Sequence, residues 1–469
     1  MSTQERQIGV DVDGVRDAIE RLGSFVADFS LASLAGPTLG SLRKVLQDSL
    51  AVLVSGGLLP ESRAIATSLP APDGRSSVFG SPKRFGAIDA AWLNGTAMVA
   101  LELDEGNKSI RGHASAHVLP AVLALAEELG SSSSEALSAF VAGHEVASRF
   151  GASVRLEPGV HPHGNWGALG AAAAAAKLMG ADAAGIASAI DNAGALAIAT
   201  PFSVATNGMW VRNAWVGASN ASGIWAATVA AGSGRTPVFA PAAESLGVIL
   251  GEIDARVLAD GLGHSWFLDS GYFKIHSSCS YTHPAADLAI AVFAERGEVR
   301  AEDIDSILVE THHLGAGLRS LEWPTRLAAM FSIPCVVATA LGVGHCLPSD
   351  FGVEQRSLPE RGDLAAKVEV AHNPEFDREL PARRITRMTI TWRSGDTSVL
   401  QAENPVGDSA YRPLDQEAIE AKAERLLGPE LAEQVAESTV LLISGEGAAR
   451  GPLSGLRAAA ARAAEGLEV

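Results

Sequence analysis

A chain of 469 residues with 47% hydrophobic and 19% charged side chains has a globular composition, far too apolar for a disordered segment. Its 36 Lys and Arg against 54 Asp and Glu leave a formal charge of -18, which repels polyanions and anionic membrane surfaces within a Debye length; nucleic acid and membrane are therefore not expected as partners. An anionic substrate would need local cations against that field, so clustered Arg, Lys and His are the residues to seek.

Apolar residues at helical spacing predict two helices over VRDAIERLGSFVADF and SLRKVLQDSLAVLV, separated by Ala-Gly-Pro at 35–37. A loop rich in Pro, Gly and Ser follows to about Lys83. Helices are predicted near 87–103, 117–129, 133–150, 165–179 and 182–197, with Ser134 and Glu135 as start signals for the third. GALGAAAAAAKLMG, residues 167–180, is almost wholly small and predicts a buried central helix that its neighbours approach closely. Another small-residue helix begins near Met209, and no strand is expected before about residue 265. After Trp266 the texture changes. Strand-like runs occupy 305–313, 365–372 and 384–403, the last with Ser394, Gly395 and Asp396 as the turn of a hairpin. Helices near 282–296 and 324–341 would cover one face of the sheet, and the chain is helical again from Asp415. The expected fold is mostly α: a large all-helical domain from 1–268 with 414–469, and a smaller α+β lid domain, 269–413, with an antiparallel sheet and helices.

Three cysteines, Cys279, Cys335 and Cys346, are too few and scattered for a disulfide framework or a four-thiolate zinc site, so a reducing cytoplasm is the expected compartment. The first 23 residues mix both charges and lack the order of a signal peptide. The richest apolar region, 168–205, is broken by Lys177, Asp182 and Asp191, so no membrane span is expected.

Four stretches concentrate polar chemistry in apolar surroundings. LELDEGNKSIRGHASAH, residues 101–117, carries Glu102, Asp104, Glu105, Lys108, Arg111, His113 and His117 on a loop between two helices, where functional groups gather. GVHPHGNWG, residues 159–167, sets His161 and His163 around Pro162 just before the small-residue helix, whose first-turn N–H groups suit an anion. NGMWVRNAW presents Arg212, whose planar fork of donors fits a carboxylate. FKIHSSCSYTHPAAD, residues 273–287, gathers Lys274, His276, Cys279, Ser280, Tyr281 and His283. Each also has a structural reading: a salt-bridged connection, a helix cap, a buried ion pair or packing. Metal binding is not expected, because Ala114 stands where a zinc-protease helix carries Glu and no third ligand is fixed by spacing.

Taken in this order, LELDEGN with GHAS, VHPHGNWGALGAAAAAAKLMG, FKIHSSCSYTHPAAD, HNPEFDRELPARRITRMTITWRSGDT and ENPVGD resemble the MmgE/PrpD family along the whole chain. The resemblance implies a helical domain with an inserted α+β domain, a cleft between them, and a homodimer. It also implies action on small di- and tricarboxylates without an organic cofactor, by proton movement at carbon beside a carboxylate. Carried over residue by residue, His113 and His161 match histidines of acid/base work, Asp104 or Glu102 the acidic position, and Lys274 a cleft lysine. Glu102, His163, Arg212, Lys274, His276, Cys279, Ser280 and Tyr281 are expected to bind substrate. The chain departs from the family's decarboxylases at Arg212, where they carry lysine, and at Cys335, where they carry tyrosine. It departs from the wider pattern at Trp215 and Ser280, where histidine and arginine are frequent. These departures weigh against itaconate-forming decarboxylation. The expected activity is a carbon–oxygen lyase, a dehydratase of a hydroxy-polycarboxylate. An epimerase or isomerase of an iminodisuccinate-like dicarboxylate is the alternative, ahead of a decarboxylase or a carboxylate-binding protein without turnover.

Overall fold

The structure, a computed structural model, describes residues 10–70, 74–234, 236–445 and 447–465. The amino-terminal reading above therefore falls partly outside the described residues.

The first helix, Val12–Asp28, is capped by Asp11, whose side chain accepts from the Gly14 N–H. Ala-Gly-Pro starts the second helix, Gly36–Gly57, instead of merely separating the two, because Pro37 in the first turn has no N–H to leave unpaired. By the same logic Pro60 opens a short helix, Pro60–Ser68, inside the segment expected to be loop. Ser132 and Glu135 form a reciprocal capping box on Ser133–Ser153, with the cap two residues earlier than Ser134.

The poly-alanine helix, Gly167–Leu178, is buried from Gly167 to Ala176. It crosses Ser133–Ser153 so closely that a Cβ on Gly143 or Gly170 would strike the other's carbonyl oxygen. The helix Val211–Ser233 packs on both Ala87–Met98 and Gly167–Leu178 through similar small-residue seams. Two short antiparallel pairs do lie before residue 265, contrary to expectation: β1 (Ser76–Ser77) with β2 (Arg84–Phe85), and β3 (Val154–Leu156) with β4 (Gly251–Ile253). Runs of two or three residues are too short to show a period.

The main sheet has four strands: β5 (Ile304–Thr311), β6 (Val368–His372), β7 (Thr386–Trp392) and β8 (Thr397–Ala402), in the order β6-β5-β7-β8. β7 and β8 form the expected hairpin, and β5 pairs with β7 antiparallel. β5 and β6, however, run parallel, so the sheet is mixed and not antiparallel. Between them the chain crosses through the helices Arg326–Met330, Ile333–Val343 and Pro359–Ala365, the long connection that parallel pairing requires. The single helix expected near 324–341 is split, because Ser332 caps a new helix at the Cys335 N–H with Pro334 in its first turn.

Buried apolar side chains fall into two main clusters, one in the helical layers and one around the sheet with His283–Arg296 and Ile333–Val343. The final helices, Gln416–Ser444 and Arg450–Glu465, return to the first cluster through Ile419, Val435, Leu442 and Leu456. Among the described residues no helix is long and apolar enough to cross a membrane.

Candidate functional site

The loop from Leu101 to Gly112 is pinned from several directions. Ser277 Oγ donates to Leu101 O at 2.7 Å, and Lys422 Nζ, from the last helices, donates to Leu103 O at 2.8 Å. Gly106 exchanges backbone hydrogen bonds with Tyr272 at 3.0 and 2.6 Å, and a Cβ there would meet the Tyr272 ring and His113 Nδ1. Lys108 reaches the α+β side through Asp408 at 2.8 Å and Ala382 O at 2.9 Å. At its two ends Glu102 and Arg111 hold left-handed backbone, φ 52° and 51°, which only a strongly constrained non-glycine residue adopts.

The turn carrying the next histidines is tied down in the same way. Asn165 Nδ2 donates to His161 O at 2.9 Å, and Thr200 Oγ1 lies within hydrogen-bonding reach of both His161 O and His163 O. His161 and His163 thus sit on a turn fixed from both sides. Gly167 brings the central helix against the His117 ring, and His117, His113 and His161 all pack edgewise or tilted around His163 at ring separations of 4.5 to 5.3 Å.

These elements line a small pocket. Its helical wall is Glu102, Arg111, His113, His161, His163, Phe202 and Arg212; the facing wall is Tyr272, Cys279, Ser280, Tyr281, Phe331 and Arg384. Under the first wall lies a buried charge network. Arg212 Nη1 meets Glu102 Oε1 at 2.5 Å, and Lys274 Nζ lies 3.5 Å from Glu102 Oε2 and 3.3 Å from Asp104 Oδ1. Burial opposes ionisation of Asp104, yet His113, Lys274 and Arg212 outweigh it and hold that carboxyl well below its ordinary range. Burial likewise disfavours the Lys274 ammonium, but Asp104 and Glu102 hold it above its ordinary value.

Hydrogen bonds distinguish the two principal imidazoles. His113 Nδ1 is 2.7 Å from Glu105 O and 2.9 Å from Asp104 Oδ2; both oxygens can only accept, so Nδ1 carries the proton and, in the neutral ring, Nε2 carries the lone pair. His161 is the opposite tautomer, because its Nδ1 accepts the His163 N–H at 3.1 Å and leaves the proton on Nε2. Burial, reinforced by Arg212 and His113, pushes His161 well below the usual histidine range, so its ring is a neutral donor. Burial also raises the Cys279 thiol to about 11 and the Tyr281 phenol to about 12, so both stay protonated near neutrality.

Of the residues singled out from sequence, Glu102, His113, His161, His163, Arg212, Cys279, Ser280 and Tyr281 share the pocket wall. Asp104 and Lys274 are buried one layer behind it, against His113 and Glu102. His276 departs from the expectation of substrate contact. It pairs with Asp287 at 2.9 Å and packs on His283, away from the pocket wall. Cys335 is buried behind the wall, where Phe331 lines the pocket, and Trp215 packs against His161. Tyr272, Phe331 and Arg384 were missed. The tyrosine could have been found from its place directly ahead of FKIH; Arg384 has three arginine neighbours within six residues and no distinguishing signal.

A helical unit and an α+β unit sharing a small polar pocket of paired carboxylates, cations and imidazoles define a small-molecule site. The chain belongs to the MmgE/PrpD family: residues 20–252 match the MmgE/PrpD N-terminal domain and residues 276–444 the MmgE/PrpD C-terminal domain. It is similar to the cis-aconitate decarboxylase of Aspergillus terreus, with 26% identity over 428 residues that cover 82% of this chain and 84% of the relative. It is also similar to the cis-aconitate decarboxylase of Homo sapiens, with 27% identity over 390 residues covering 78% of each chain. A shorter match, 30% identical over 172 residues and covering 34% and 36%, is to the cis-aconitate decarboxylase-like protein oryM of Aspergillus oryzae.

Proposed function

We propose that this protein is a lyase that dehydrates a small hydroxy di- or tricarboxylate by removing a proton beside a carboxylate, without an organic cofactor. The observation that carries the reading is the pair of opposite tautomers in one pocket. His113, backed by Asp104, offers a lone pair on Nε2 as base, and His161 donates an Nε2–H hydrogen bond to the departing hydroxyl, which takes up the proton His113 has removed and leaves as water. Lys274 and Arg212 then serve mainly to stabilise the anionic face of the site, where an enolate-like charge develops. In this reading the α+β unit, 269–413, acts as the lid that keeps water from the carbanion.

Decarboxylation is the second reading, favoured by the names of the relatives. Loss of carbon dioxide requires a proton donor but no base, and so leaves the His113–Asp104 pair without a task. An epimerase would need a second base on the far side of the substrate; the facing wall offers Cys279 and Tyr281, both held protonated by burial. The test is to incubate the protein with a panel of di- and tricarboxylates in deuterated water and follow them by NMR. Formation of an alkene with loss of hydroxyl supports dehydration. Evolution of carbon dioxide, deuterium incorporation with inversion, or perturbed signals without conversion would each replace it, by a decarboxylase, an epimerase or a binding protein respectively. The family resemblance also supports a homodimer, which sedimentation at micromolar concentration checks, and the cysteine usage supports a cytoplasmic setting.

A further inference from the structure

The cations expected to hold substrate are already occupied. Arg212 and Lys274 face Glu102 and Asp104, two positive charges against two negative ones, and Lys108 is taken by Asp408 at 2.8 Å. Arg384 is different. It enters from the α+β side just before β7, where its backbone N–H is bonded to Glu403 O at 2.9 Å and to Asn404 Oδ1 at 3.1 Å. Its guanidinium carbon lies 5.0 Å from the Tyr272 ring centre and 5.3 Å from that of Tyr281, and all three residues line the pocket.

The side chain is buried, with 4% exposure, yet no carboxylate among the described residues lies within ion-pair distance of it. Ring faces offset part of the cost of burying a cation, but an unpaired buried charge remains expensive until an anion completes it. Tyr281 cannot be that anion, since its phenol is held protonated by its burial. Arg111, exposed on the rim of the same pocket, adds a second cation without an ion-pair partner among the described residues.

We propose that Arg384 anchors a carboxylate of the substrate remote from the reacting carbon, so that the pocket selects molecules with at least two carboxylates. The planar guanidinium fork matches a carboxylate bidentately. One carboxylate on Arg384 and the reacting carbon towards the histidine wall would stretch the substrate across the boundary of the two units. That the anion is a substrate rests on the dehydratase reading above; that Arg384 binds it does not.

Titration calorimetry and steady-state kinetics would compare the wild-type protein with Arg384→Gln and Arg384→Lys. The probes are tricarballylate, a saturated tricarboxylate that cannot react, and butyrate, its single-carboxylate counterpart. Arg384→Gln is expected to weaken tricarballylate by about thirtyfold or more, the scale of removing one partner of a buried charge pair, and to leave butyrate little changed. For any converted substrate KM should rise far more than kcat falls. Arg384→Lys keeps the charge and guards against misfolding; it should recover part of the affinity but not all, because an ammonium lacks the fork. Unchanged tricarballylate binding in Arg384→Gln, or an equal loss for butyrate, would overturn the anchor. If the wild type converts no carboxylate while Arg384→Gln still loses tricarballylate, the dehydratase reading falls and the anchor stands.

Discussion

The two walls of the pocket use the same kinds of residue to opposite ends. Under the helical wall the buried charges are matched: Arg212 with Glu102, Lys274 with Glu102 and Asp104, and His113 with Asp104. On the α+β side Arg384 stands between aromatic rings, with no carboxylate within ion-pair distance among the described residues. A neutralised network fixes geometry and protonation, since moving any member leaves another charge bare. An unmatched cation is instead a binding group. The residues that looked most like substrate ligands in the sequence therefore belong chiefly to the buried network that fixes Asp104 and His113.

The contrast can be broken most forcefully at Glu102. Glu102→Gln leaves Arg212 and Lys274 short of a buried counter-charge and should lower stability by about 3–5 kcal/mol in urea unfolding. Arg384→Gln deprives no acid of its partner and should cost much less; equal losses in the two variants would erase the distinction between the walls. Next in size are the imidazoles. His113→Ala and His161→Ala should each reduce turnover at least about a hundredfold while the protein stays folded, and a near-normal rate in either would remove that residue from the chemistry.

The smallest effect concerns His117, which lies behind the histidine wall with no hydrogen-bond partner at either ring nitrogen among the described residues. Burial, with His113 adding to it, depresses its folded-state pKa from 6.5 to about 3. Between those values the unfolded chain binds a proton that the folded one refuses. The stability linked to His117 is thus complete above pH 6.5 and drains away as pH falls towards 3, by at most about 1.4 kcal/mol per pH unit. His117→Leu should flatten the fall in unfolding free energy between about pH 6.5 and 4.5, and identical slopes in variant and wild type would refute the assignment.

Much of this was legible from residue order because the helical wall is local in sequence. Glu102, Asp104 and His113 fall within twelve residues, and His161 and His163 flank one proline, so clustering alone exposed them. The hairpin of β7 and β8 was legible for the same reason, with a three-residue turn between alternating runs. What escaped depends on distant chain segments meeting. The parallel pairing of β5 with β6 spans the whole crossover between Thr311 and Val368, and no periodicity encodes the direction of a returning strand. Arg384 escaped because its neighbours Arg378, Arg383 and Arg387 look identical in sequence. Burial separates them: Arg383 meets Glu379 and Arg387 meets Gln401 on the surface, and only Arg384 turns inward.

The bond from Lys422 to Leu103 O carries a consequence for how the protein comes into being. Lys422 is wholly buried, paired with Asp48 at 2.5 Å, and it braces the backbone between Glu102 and Asp104. On the ribosome the acidic loop and both histidine turns emerge more than two hundred residues before this brace, so the helical layers can condense early while the loop still lacks one of its fixed points. Competence for catalysis would then arrive late and abruptly, when the segment around residue 422 docks. A nascent chain halted short of that point would hold a nearly finished fold around a loop not yet fastened in its strained geometry.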